Sequence, residues 1–247
     1  MGLSHLDGIL WAASSVLAGF VVWRILQQRL FVSPFRALAV LMGVVLLRDG
    51  VVSIPAYNTR AYTVAWAWTL PFLLGAQMWA GWDTLRAVAR LYPKIGRFAM
   101  RLFMACLAIT IAVCALALPF ELPRLLAGDG GLRALFLLHR SIDSWIAGTL
   151  ILVAVFFARF PAPLKQPPRN LVVHTILLSL YFGGYAALFF IENLTPLGSA
   201  IFAERLEFVL IIALYSSWAI SLSQKGQTSE PWPDIDVVVL KSLAQGR

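Results

Sequence analysis

Seven apolar stretches follow one another along this chain, each near the ~20 residues needed to cross a hydrocarbon core about 30 Å thick. Lipid offers no partner to backbone N–H and C=O groups, so each stretch must satisfy them internally as a helix. The sequence therefore predicts an all-α fold, a polytopic membrane protein with a seven-transmembrane-helix bundle. Of the 247 residues, 60% are hydrophobic and 13% charged, against roughly 45–50% and 25% in a soluble domain. The mean hydropathy of +0.80 agrees. The spans use most of the chain and leave no room for a second globular domain.

The helices are expected over about 8–29, 36–56, 61–91, 98–118, 132–160, 170–192 and 200–223, with 224–247 as a polar tail. Pro55, Pro93 and Pro119 are read as stops, because proline lacks the N–H that would continue a helix. Residues 1–7 lack the positively charged leader of a signal peptide, so the chain is expected to begin at Met1.

Orientation follows from lysine and arginine over the short connections. One side carries Arg24, Arg29, Arg36, Arg86, Arg90, Lys94, Arg97, Arg101, Arg159, Lys165, Arg169, Lys225, Lys241 and Arg247; the other has Arg60, Arg124, Arg133 and Arg205. The amino terminus is expected outside and the carboxyl terminus in the cytoplasm. The net charge of +8 then needs no nucleic acid, since anionic headgroups attract basic residues on that face.

Charged residues inside the spans are the functional signal. Each costs about 2.5–3.5 kcal/mol to insert on translocon scales, so such groups normally face a protein interior or a watery cavity. His139-Arg140-Ser141-Ile142-Asp143 interrupts the fifth stretch, and its helical spacing brings His139, Arg140 and Asp143 to one face. With the orientation above, Arg48 and Asp49 of the second helix, Glu192 of the sixth, and Glu204, Arg205 and Glu207 of the seventh reach the same outer level. His174, Leu178, Tyr181, Tyr185, Leu188 and Glu192 form one stripe, and Glu204, Glu207, Ile211, Tyr215 and Trp218 another. Together these predict a polar pocket open to the outside, with Arg48, Asp49, His139, Arg140, Asp143, Tyr181, Tyr185, Glu192, Glu204, Glu207 and Tyr215 as ligand-binding candidates. Gly183-Gly184 would let a neighbouring backbone approach or leave room for a ligand.

Plainer accounts exist for each. Arginine–carboxylate pairs also lock helices together. Near the interface, solvation alone accounts for Glu192, Glu204 and Arg205. His174 is expected at headgroup level, Asp83 and Arg86 as a local ion pair, and the tryptophans of the third helix as belt and packing residues.

No catalytic residue is expected, because no nucleophile–base pair is evident. Cys106 and Cys114 are read as packing residues, and His5, His139 and His174 are too scattered for a zinc site, so neither metal nor cofactor is expected. A retinal protein needs a lysine in its last helix, and the only lysines are Lys94, Lys165, Lys225 and Lys241. Membrane hydrolases of the ceramidase or adiponectin-receptor type need three histidines and are set aside likewise.

Three further segments carry a resemblance: Leu46-Leu47-Arg48-Asp49; Ala61-Tyr62 through Trp66, followed by Trp82 to Tyr92-Pro93; and His139-Arg140-Ser141. In these and in helix pattern the chain resembles a group of uncharacterised bacterial seven-helix integral membrane proteins. It departs from that group at Thr69 or Leu70, where an acidic residue is usual. The resemblance implies a multi-pass protein of the bacterial inner membrane. The expected function is a receptor-like or sensory protein for a small polar ligand or ion, not an enzyme, with the bilayer and a cytoplasmic protein as partners. A proton- or cation-coupled secondary transporter and a structural accessory subunit are the alternatives.

Overall fold

In the computed structural model, residues 5–55, 59–127, 133–159, 167–194 and 200–227 are described. The side chains of Arg140, Glu192 and Glu204 lie outside that description, as do residues 228–247 of the tail. The described residues form seven α-helices: α1 (His5–Gln27), α2 (Phe35–Ser53), α3 (Arg60–Leu91), α4 (Pro93–Ala127), α5 (Arg133–Arg159), α6 (Arg169–Leu194) and α7 (Ala200–Ser221). A 3-10 turn, Gln224–Gln227, follows.

Each helix packs on the next, and α7 returns to α1, closing a ring. The third helix also reaches across to α5 and α6, so it lies on the inside of that ring. Short connections between packed neighbours give an up-and-down bundle. Periodicity decides which faces turn inward. On α2, Phe35, Leu38, Leu41 and Met42 are buried, one to two per turn, while Leu47 and Val51 on the other side are exposed. Val16, Trp68, Phe72, Ile109, Val155, Leu180 and Ile220 likewise face outward from six different helices. Two helical segments, Leu6–Gln27 and Arg169–Leu188, are long and apolar enough to cross a membrane.

The ends of the elements follow from local chemistry. Thr59 caps α3 by accepting a hydrogen bond from the Tyr62 N–H at 3.2 Å. Helix α1 closes with Arg29 in the left-handed region at φ 53°. There Leu30 N–H donates to the Ile25 carbonyl and Arg29 N–H to that of Leu26, at 2.9 and 3.0 Å, the paired bonds of a Schellman motif. Asn170 at the start of α6 donates to the Ser223 carbonyl at 2.6 Å, and the Gln224 N–H donates to Gln28 Oε1 at 3.0 Å.

Pro93 and Pro119 act differently from the sequence expectation, whereas α2 ends just before Pro55 as expected. Pro93 does not merely end α3; it is the first residue of α4, where its missing N–H would have had no helical partner anyway. Helix α4 then continues through Pro119 to Ala127. One absent hydrogen bond in so long an apolar helix is outweighed by the many that remain.

Candidate functional site

Five helices bring polar side chains to one buried region. On α5, His139 and Asp143 lie one turn apart, and the His139 Nε2 stands 3.2 Å from Asp143 Oδ2. From α3, Gln77 brings its Nε2 to 3.4 Å from the same histidine nitrogen. The imidazole nitrogen thus faces a carboxylate on one side and an amide on the other. A bare Nε2 accepts from the Gln77 amide and a protonated one donates to the Asp143 carboxylate, so a single proton sets which contact it makes.

Helix α6 adds Tyr181 and Tyr185, whose rings meet edge to face with centroids 4.9 Å apart. The Tyr181 hydroxyl is hydrogen-bonded with Tyr185 and with Tyr215 of α7, and accepts from the Gln77 amide. Tyr185 lies 6.4 Å from the His139 ring, centroid to centroid. The charge of Glu207, on α7, is felt by Asp143, Tyr185 and Tyr215. From α2, Arg48 lays its guanidinium 5.2 Å from the centroid of the Trp66 ring, a cation–π contact, and its charge reaches His139. Asp49 turns toward α1, where Ser15 donates to its Oδ2 at 2.6 Å, and its field reaches Tyr215.

Of the eight sequence-predicted residues with described side chains, His139, Asp143, Tyr181, Tyr185 and Tyr215 adjoin one another, while Arg48, Asp49 and Glu207 act on them through their charges. Arg140, Glu192 and Glu204 lie outside the described side chains. Sequence reasoning missed Gln77 and Ser15. Gln77 was detectable in principle: it lies seven residues from both Leu70 and Thr84, and all three are buried on one face of α3. Ser15 carries no such signal, since a serine in an apolar helix commonly bonds its own backbone, as Ser15 also does to the Trp11 carbonyl.

Asp143 is 0% exposed, and among the described residues neither of its carboxylate oxygens accepts a hydrogen bond. The amide oxygen of Gln77, 1% exposed, is in the same condition. Buried acceptors left this way are costly, about 1–3 kcal/mol each and more when charged. Among the described residues no group of three or more His, Cys, Asp or Glu gathers to hold a metal ion.

Three other expectations are corrected. His174 is not at headgroup level: it is fully buried, hydrogen-bonded to Thr84 Oγ1 at 3.0 Å and packed between Phe35 and Trp218. Asp83 does not pair with Arg86, which is exposed; it is buried, accepts from Ser33 Oγ at 2.8 Å and has Arg36 Nε at 3.9 Å. Arg205 is not simply solvated, because its Nε reaches Asp7 Oδ1 at 2.9 Å and ties α7 to α1. In each case the partner comes from a helix distant in sequence, which one-helix spacing cannot reveal. At Gly184 a Cβ would strike the Leu210 side chain of α7, so this glycine makes room for a side chain and not for a neighbouring backbone.

No protein-family model, no curated protein and no solved structure matches the chain.

Proposed function

We propose that this chain is a seven-span protein of the bacterial inner membrane, amino terminus outside, acting as a receptor-like or sensory protein for a small polar ligand or ion. The convergence of α2, α3, α5, α6 and α7 on Asp143 carries this reading: a wholly buried carboxylate beside an imidazole, an amide and three tyrosines is costly to keep and is the pattern of a binding site. The spanning part is supported by length and surface. The shortest helix, α2, has 19 residues, about 28 Å at 1.5 Å per residue, which matches the hydrocarbon thickness. Large apolar side chains face outward from all seven helices. The basic residues of the predicted cytoplasmic face suit anionic headgroups and an acidic protein partner.

The experiment is thermal unfolding of the purified protein in detergent against a panel of small polar solutes, with Asp143→Leu beside wild type. A solute that stabilises wild type and not a well-folded Asp143→Leu is the expected result. Collapse of folding in the variant, with no solute acting on wild type, sinks the receptor and leaves a helix lock. Reporter fusions at the carboxyl terminus test the orientation, a cytoplasmic signal being expected.

One observation favours a second reading, a proton- or cation-coupled transporter. The buried polar groups continue beyond Tyr181 through Trp218 and His174, with ring centroids 6.3 and 6.0 Å apart, to Thr84 and Asp83. Flux into proteoliposomes above that of empty vesicles separates a transporter from a sensor.

A further inference from the structure

The chemistry of the cluster points to its ligand class. Three buried oxygens, Asp143 Oδ1, Asp143 Oδ2 and Gln77 Oε1, accept no hydrogen bond among the described residues. Both side chains converge on His139 Nε2, at 3.2 and 3.4 Å. What such a place lacks is donors. Glu207 bears on Asp143 through its charge, and a carboxylate kept ionised at so buried a place needs a positive partner. Arg48 lays its guanidinium over Trp66, and its charge reaches His139.

Aromatic rings adjoin the cluster. Tyr181 is buried and Tyr185 half-buried, with ring centroids 4.9 Å apart. Aromatic faces attract organic ammonium groups. A primary ammonium also carries three N–H donors on one compact charge, which suits a place rich in acceptors. An anion would meet the Asp143 carboxylate, and a neutral polyol would leave its charge uncompensated.

We propose that the cluster binds a small primary amine in its protonated form, with Asp143 as counter-ion, Gln77 Oε1 as the further acceptor and Tyr181 and Tyr185 as the walls. The proposal rests on the reading of this cluster as a ligand site and names what that site takes.

The test is thermal unfolding of the full chain in detergent at constant ionic strength, with methylammonium, tetramethylammonium, sodium or sodium acetate as the added salt. Methylammonium chloride is expected to raise the midpoint by several degrees over sodium chloride, with the shift lost in Asp143→Asn and in Gln77→Met. Gln77→Met keeps the proposal testable if Asp143→Asn does not fold. Tetramethylammonium, which has no N–H, is expected to do nothing. Equal shifts with sodium or tetramethylammonium overturn the primary amine. A shift with acetate alone overturns the cation class while leaving a ligand site in place. Silence from every salt, or a methylammonium shift that survives both variants, overturns the amine proposal at this cluster.

Discussion

Thr84 decides which nitrogen of His174 carries the proton. Its hydroxyl donates to the Ala80 carbonyl at 2.7 Å, so the same oxygen, 3.0 Å from His174 Nε2, is left to accept. Nε2 is therefore the protonated nitrogen of the neutral ring, and Nδ1 is the bare one.

Thr84→Val removes that acceptor and strands a buried N–H. The loss should be about 1–3 kcal/mol, read as a lower unfolding midpoint in detergent. Adding His174→Phe removes the stranded donor as well, and the double variant should recover part of the loss. A double variant that simply sums the two single effects refutes the contact as the source of stability.

Ser33 and Arg36 both face Asp83, yet they should differ in weight. The serine donates at 2.8 Å to a buried carboxylate, whereas Arg36 stands 3.9 Å away with a side chain 47% exposed. Ser33→Ala should cost about 1–3 kcal/mol, and Arg36→Ala under about 1 kcal/mol, shrinking in high salt. Thermal unfolding at low and high sodium chloride compares them.

Two glycines should respond differently to a methyl group. At Gly96 a Cβ would run into the Cα and backbone nitrogen of Ala89, which cannot step aside; Gly96→Ala should cost about 1–3 kcal/mol. At Gly184 the obstacle is the end of the Leu210 side chain, which can change rotamer at a cost of about 1 kcal/mol or less. Comparison of the two midpoints checks the difference.

Arg29→Gly should stabilise the protein. Arg29 holds φ at 53° while its side chain is exposed. The left-handed conformation costs an L-residue about 1–2 kcal/mol and glycine almost nothing. A gain of up to about 1 kcal/mol is expected after the entropy of the freer unfolded chain is counted, seen as a raised midpoint.

Much of the fold was readable because one rule dominates it. Long apolar stretches must become helices, and the order in which they pack follows from short connections. The polar cluster was readable for a related reason: a charge within such a stretch is so costly that its neighbours must turn toward it, so Asp143, Glu207 and Tyr181 could be grouped without coordinates. His174 and Asp83 were not readable. Both lie near helix ends, where solvation and burial make the same pattern in the sequence. Only the approach of Thr84 to one and Ser33 to the other decides between them. Proline was misread because its local cost was weighed without the length of helix around it.

Only Tyr92 separates Leu91, the last residue of α3, from Pro93, the first of α4. A joint that short has no slack, so α3 cannot tilt or turn without dragging α4 with it. The same shaft bears Gln77, Asp83 and Thr84, whose partners come from three other parts of the chain. Whatever rotates Gln77 away from His139 also strains the clasp on Ser33 about two turns further along, and a grip tightened at one end is felt as an equal pull at the other.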